Sequence, residues 1–157
     1  MIKTKKFEIT KKEYLSIICR VLLKKKWWLF ALAWLIGLTF LLDEEKDTFK
    51  IFIIVFAFIY PFLVFFEYWR FANSKQNKLI FVERQHEIYD DKIISYVGNS
   101  SESTIAIENF VKTFELDDVY LLYISKNSSI YFPKRIFQNK EDENWFRENI
   151  FMPIKRK

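Results

Sequence analysis

The sequence predicts a membrane protein of the α+β class: a two-helix transmembrane hairpin, then an antiparallel β domain closed by a C-terminal helix. Three observations carry this expectation. Residues 27–71 hold 16 of the 31 aromatic residues. Within that block lie two uncharged stretches of 16 residues each. From Leu79 onward the pattern changes to short β-rich runs split by polar turns. A break this sharp implies two solvent environments rather than one core. A chain of 157 residues suits one domain, or a small domain plus an appendage.

The first stretch is "WWLFALAWLIGLTFLL", Trp27 to Leu42, and the second is "IFIIVFAFIYPFLVFF", Ile51 to Phe66. As helices each runs about 24 Å, somewhat under the ~30 Å of bilayer hydrocarbon. Flanking residues extend the reach. Lys24, Lys25 and Lys26 can snorkel, while Trp27, Trp28, Tyr68 and Trp69, with Arg70 beside them, suit the membrane interface. A buried hairpin of a soluble protein would need a polar face on each helix, because a small domain cannot cover a helix all round. Thr39 is the sole hydroxyl residue of the first stretch and Tyr60 that of the second. The hairpin therefore takes residues 27–69, with Pro61 expected to kink the second helix and free one carbonyl. The first stretch is not read as a signal peptide: 26 residues precede it and no small-residue cleavage site follows Leu42.

Charge gives the expected orientation. Residues 1–26 carry nine Lys/Arg against two acids. Residues 43–50 carry four acids against two lysines. Residues 67–78 are net +2 and residues 79–157 net −2. Lys/Arg-rich flanks favour the cytoplasm, so both termini are expected there and residues 43–50 outside. The overall +5 sits beside the apolar block rather than on the large C-terminal part, which argues against a nucleic-acid partner.

Residues 1–26 read as an N-terminal arm. "KFEIT" has strand alternation, with Phe7 and Ile9 on one side. "TKKE" resembles a capping box from Thr10 to Glu13, opening a basic amphipathic helix. That helix could lie on the membrane surface or run straight into the first span. Residues 79–157 form the β domain. Strands are expected at 79–83, 86–90, 92–97, 103–107, 110–116, 119–125 and 129–133, with 119–125 central because it is apolar on both faces. Asn139 is placed to cap a final helix over about 139–151, with acids in its first turns and Trp145, Phe146 and Ile150 on its packing face.

Chemistry-bearing patterns are sparse. His86 lies near Glu87, Asp90 and Asp91, but a strand and hairpin would make these groups diverge, so a solvated hairpin is expected rather than a metal site. Gly37 and Gly98 are the only glycines, which leaves no glycine-rich phosphate cradle. No serine sits in a nucleophile-elbow context. Cys19, the one cysteine, excludes an internal disulfide and reads as a packing residue. No catalytic residue, metal or cofactor is assigned.

The stretch "IAIENFVKTFELDDVYLLYISKNSSIYFPKRIFQNKEDENWFRENI" carries a recognisable order of parts. An aromatic and Leu-rich strand is followed by a polar turn. Then come an apolar-Pro-Lys/Arg-x-x-Phe segment, Ile130 to Phe137, and an acidic helix start, Glu141 to Glu143. With the arm and hairpin before it, the chain resembles the YcxB-like family of bacterial membrane proteins. Ile105 stands where members often carry Trp. The resemblance implies a pleckstrin-homology-like C-terminal domain and a bacterial cell membrane, with no catalytic motif to transfer. The functional expectation is a non-enzymatic interaction or regulatory module. Its partners would be the bilayer and an unidentified membrane or cytoplasmic protein. Two alternatives stay open: membrane immunity against a bacteriocin or toxin, and lipid-headgroup binding through Lys134 and Arg135, since pleckstrin-like folds often meet lipid phosphates.

Overall fold

The computed structural model describes residues 1–45, 47–98, 101–126 and 128–155. It divides into two compact units, Lys11–Lys78 and a second built from Met1–Thr10 with Leu79–Lys157.

The first unit is the hairpin. Helix α1 runs without interruption from Lys11 to Leu42 and α2 from Thr48 to Asn73, through Pro61. The question left open at residues 11–26 is thereby answered at the level of local structure: they are the first turns of α1. The expected arm does not form one piece. Residues 1–10 join the sheet unit, and the division falls at Thr10, one residue before α1 begins. The turn between the helices is stitched by its own acids. Asp47 Oδ1 accepts the Lys50 amide at 2.8 Å as the N-cap of α2. Lys50 Nζ donates to Asp43 Oδ2 at 2.6 Å and to the Glu45 carbonyl at 2.8 Å. The lysine bond holds the Asp43 carboxyl below the usual carboxylate range.

The helices meet closely at one point. A Cβ added to Gly37 would fall 2.8 Å from the Ala57 Cβ, so only glycine allows this approach. Phe30 against Tyr60 and Trp34 against Phe58 continue the seam, with ring centroids 5.9 and 6.4 Å apart.

The second unit holds two antiparallel sheets. Strands β1 (Ile2–Lys3), β2 (Arg84–Ile88), β3 (Lys92–Val97) and β4 (Ser101–Ala106) form one, in that order. Strands β5 (Lys112–Glu115), β6 (Val119–Tyr123) and β7 (Ser129–Pro133) form the other. As expected, β6 is central, and its first four residues are buried on both faces. β3 and β7 fall where the alternation places them.

The strand expected at 79–83 does not form. Lys75–Phe81 is a 3-10 helix instead. Arg84 donates from one guanidinium nitrogen to the carbonyls of Leu79 and Ile80, at 2.8 and 2.7 Å, and so closes that helix locally. A short apolar run does not by itself distinguish strand from helix.

Asn139 caps the last helix as expected, its Oδ1 accepting the Asp142 amide at 2.7 Å. Helix α3 (Lys140–Phe146) then passes through a π turn, Arg147–Phe151, into α4 (Met152–Lys155). The helical course thus exceeds the expected end at 151. Pro153 would clash with the carbonyl four residues earlier in regular α geometry. The π turn, with the Met152 amide bonded to the Arg147 carbonyl, re-phases the backbone just before it. This helical end buries Phe146, Ile150, Phe151 and Ile154. Phe146 stands 5.1 Å from both Phe132 and Phe137, and Phe151 4.9 Å from Tyr120, so aromatic packing welds it to the β6–β7 sheet.

Candidate functional site

The hairpin presents an apolar outer surface. In the most apolar 18-residue window of each helix only 6% of residues are buried. Phe49, Phe62 and Leu42 are 68%, 71% and 83% exposed. Water penalises such a continuous patch heavily, so something apolar must cover it. Both helices are long and apolar enough to cross a membrane.

The expected interface residues sit on this unit. Lys24, Lys26, Trp27 and Trp28 are exposed on α1, and Lys25 is half-buried. On α2, Trp69 is exposed and stacks on Phe66 at 5.7 Å, while Tyr68 is half-buried. Arg70 donates to Glu67 at 2.8 Å across one helical turn. Antiparallel packing brings the basic start of α1 toward the Tyr68–Arg70 end of α2. Tyr14 stacks on Phe71 at 5.9 Å and Lys11 donates to Asn73 at 2.9 Å, both at that end.

Lys134 and Arg135, the candidate headgroup contacts, turn to separate partners. Lys134 Nζ donates to Glu115 Oε1 at 3.0 Å and stands 4.7 Å from the centre of the Tyr120 ring. Arg135 reaches the other way, to the Glu8 carbonyl at 3.1 Å. A 3-10 turn, Lys134–Ile136, separates the two directions.

Lys134 belongs to a network that sequence reading missed. Tyr120 donates to the buried Glu143 carboxylate at 3.0 Å, and Lys140 donates to its other oxygen at 2.8 Å. Arg147 lies 3.7 Å from Glu115. Burial pushes the Glu143 carboxyl upward, but the Lys140 and Tyr120 bonds outweigh it and leave the group below its ordinary range. Burial, then the bond to Glu143, pushes the Tyr120 phenol well up. A buried carboxylate with two donors is a satisfied structural group. The available signal was the excess of acid at the start of α3, which sequence reading assigned to the helix dipole alone.

His86 also departs from expectation. It is 1% exposed, not solvated. Its ring lies 5.3 Å from Phe7 and 4.7 Å from Phe132, joining the N-terminal strap and both sheets. Nδ1 and Ser95 Oγ share a hydrogen bond of 2.8 Å, while Nε2 has no partner among the described residues. Burial first, then the nearby Arg84 charge, lowers its pKa to about 3. Residues 1–10 make this burial possible, because Thr4 exchanges bonds with the His86 backbone at 2.9 Å in both directions. The sequence placed a strand near Phe7 but gave no partner for it. Among the described residues no three His, Cys, Asp or Glu side chains converge on a possible metal position.

These features define a class: a hairpin of two long apolar helices joined to a small α+β domain of two antiparallel sheets and a C-terminal helix. Residues 88–150 match the model of the YcxB-like protein family, so the chain carries that family's pattern from the end of β2 into the C-terminal helix. No curated protein and no solved structure matches the chain.

Proposed function

We propose that the chain is a non-enzymatic membrane protein whose hairpin spans a bacterial cell membrane and whose β domain is a cytoplasmic interaction or regulatory module. The observation that carries this reading is the apolar surface exposed around both helices, with 6% burial in each apolar window. Lipid is the environment that removes the cost of that surface. Arg20 and Lys24–Lys26 precede the hairpin and Arg70, Lys75 and Lys78 follow it, which favours a cytoplasmic location for residues 1–26 and 70–157. The acidic turn at 43–50 is then extracytoplasmic. Two antiparallel sheets of four and three strands, followed by a helix, support a pleckstrin-homology-like reading of the β domain. Its polar network is consumed by internal bonds, which suits a scaffold that binds a protein partner better than a catalytic cleft.

The test is site-specific labelling of intact cells. In a Cys19→Ser background, Asp47→Cys should react with an impermeant maleimide, and Lys155→Cys only after permeabilisation. Labelling of Lys155→Cys in intact cells would overturn the orientation. Release of the chain from membranes by an alkaline wash would overturn the spanning reading itself.

A further inference from the structure

Strand β4 is an open edge of its sheet. It pairs with β3 alone, Ala106 opposite Lys92 through to Ser101 opposite Val97, with no bulge. The Ile107 amide donates to the Asp91 carbonyl at 2.8 Å, and this bond fixes the phase of the ladder. Ser101, Ser103 and Ile105 therefore bond inward to β3. Glu102, Thr104 and Ala106 aim their N–H and C=O groups outward along the edge. Among the described residues these outward groups have no hydrogen-bond partner. Residues 101–104 are exposed. Such an edge is a template for another strand, and proteins commonly blunt it with Lys, Pro or a bulge. The strand, "SESTIA", has none of the three.

The edge matches a second copy of itself. Opposed residues of an antiparallel pair share a face, so a two-fold axis must pass through a residue rather than between two. An axis at Thr104 sets Thr104 against Thr104 and Glu102 against Ala106. These are the residues with outward groups, and all of those groups are then bonded. Thr–Thr is a favourable cross-strand pair, and no like charges oppose one another. Charge completes the match. Lys92 lies directly beside Ala106 on β3. Glu102 of one copy thus faces Lys92 of the other across a small alanine. The two are separated by two strand spacings, about 10 Å, which their extended side chains can bridge. Within its own chain Glu102 has no ion-pair partner among the described residues, and Lys92 stands over the Tyr89 ring at 5.5 Å.

We propose that β4 is a homodimer interface, at which two copies join by antiparallel strand addition centred on Thr104. The inference names a second copy as the partner of the interaction module and rests on that reading. Anchoring both copies in one membrane raises their effective concentration, so a short edge suffices.

The experiment is oxidative cross-linking of the full chain in native membranes, in a Cys19→Ser background. Thr104→Cys should give a disulfide-linked dimer, because its two copies lie about 5.5 Å apart at Cα, within disulfide range. Ser101→Cys should not, its two copies being about 20 Å apart along the strands. Added to Thr104→Cys, Glu102→Lys brings two lysines together and should abolish most of the cross-linking. Further addition of Lys92→Glu should restore it. Thr104→Pro removes an outward N–H and no bond within the sheet. It should convert the detergent-solubilised dimer to a monomer, with the Trp145 unfolding transition retained. Absence of the Thr104→Cys dimer, equal cross-linking at Ser101→Cys, or no effect of Glu102→Lys would each overturn the proposal. So would failure of Lys92→Glu to rescue, or a dimer that survives Thr104→Pro because the hairpins hold it. A chain that labels at Asp47→Cys from outside yet never cross-links at Thr104→Cys sinks this inference alone. Labelling of Lys155→Cys in intact cells sinks the orientation instead.

Discussion

The two units use apolar side chains in opposite ways. In the sheet unit they point inward: Phe110, Leu122, Phe132, Phe146 and Phe151 are each no more than 1% exposed. In the hairpin they point outward. Among the described residues, all but three of the large exposed hydrophobic side chains lie between Leu23 and Phe71, the exceptions being Met1, Leu79 and Val111. Overall composition hides this, since the mean hydropathy of the chain is −0.04. Average hydrophobicity therefore says little about either unit, and the direction of burial says much. The sheet unit carries its own apolar interior, while the hairpin requires an apolar surrounding.

The largest effect should separate the units by one substitution in each. Phe146→Ala removes a ring that contacts Tyr120, Phe132 and Phe137. Loss of a fully buried Phe costs about 3–5 kcal/mol. Urea unfolding of the full chain in detergent, followed by Trp145 fluorescence, should show a strongly lowered midpoint. Phe62→Ala, at 71% exposure, should leave that transition where it was. Equal effects of the two would dissolve the distinction between an inward and an outward surface.

Next in size is the helix seam. Gly37→Leu places a branched side chain where even a Cβ would lie 2.8 Å from that of Ala57. Overpacking of this kind costs about 1–3 kcal/mol. The expected readout is weaker cross-linking between cysteines placed at Leu38 and Phe56, with the Trp145 transition unmoved. A shift of both would mean that the units fold as one.

The third effect is specific to the sheet unit and depends on pH. His86 has a folded-state pKa of about 3 against an ordinary 6.5. The unfolded chain therefore takes up its proton first as pH falls. Above pH 6.5 the group adds no pH dependence. Between 6.5 and 3 stability declines, by at most about 1.4 kcal/mol per pH unit, or roughly 2 kcal/mol by pH 5. His86→Gln should flatten that slope between pH 7 and 5 while lowering stability at pH 7. An unchanged slope in the variant would mean that other groups set the acid sensitivity.

Sequence and structure agree best where a pattern is long or local. Two uncharged 16-residue stretches state their own helices, because no small domain could bury them all round. The β6 strand "VYLLY" announces a central position by being apolar on both faces, and Asn139 announces the last helix by its short polar side chain. What sequence hides is contact across distance. Nothing near His86 in the chain reveals that Thr4 and Phe7 will close over it, more than seventy residues away. Tyr120 and Glu143 are likewise ordinary until the fold joins them. Lys134 looks like a free cation because Glu115 lies 19 residues earlier, on β5. The misplaced strand at 79–83 fails for a related reason: the deciding hydrogen bonds come from the Arg84 side chain, which periodicity does not register.

The smallest expected effect concerns a residue at the boundary. Arg70 and Glu67 form a 2.8 Å ion pair, with side chains 67% and 61% exposed. Exposed pairs contribute about 0–1 kcal/mol, and those spaced along one helix sit at the low end. Arg70→Gln should therefore leave the unfolding midpoint within error. In the proposed topology its charge nevertheless counts toward orientation, where the sum over the flank matters rather than any pair. Arg70→Gln alone should preserve labelling of Asp47→Cys from outside the cell. Combined replacement of Lys24, Lys25, Lys26 and Arg70 by Gln should make a fraction of the chains inaccessible there, again without loss of fold. A stability loss in the single variant would show that the pair holds the helix end together. Full external labelling in the combined variant would show that something other than these four cations orients the hairpin.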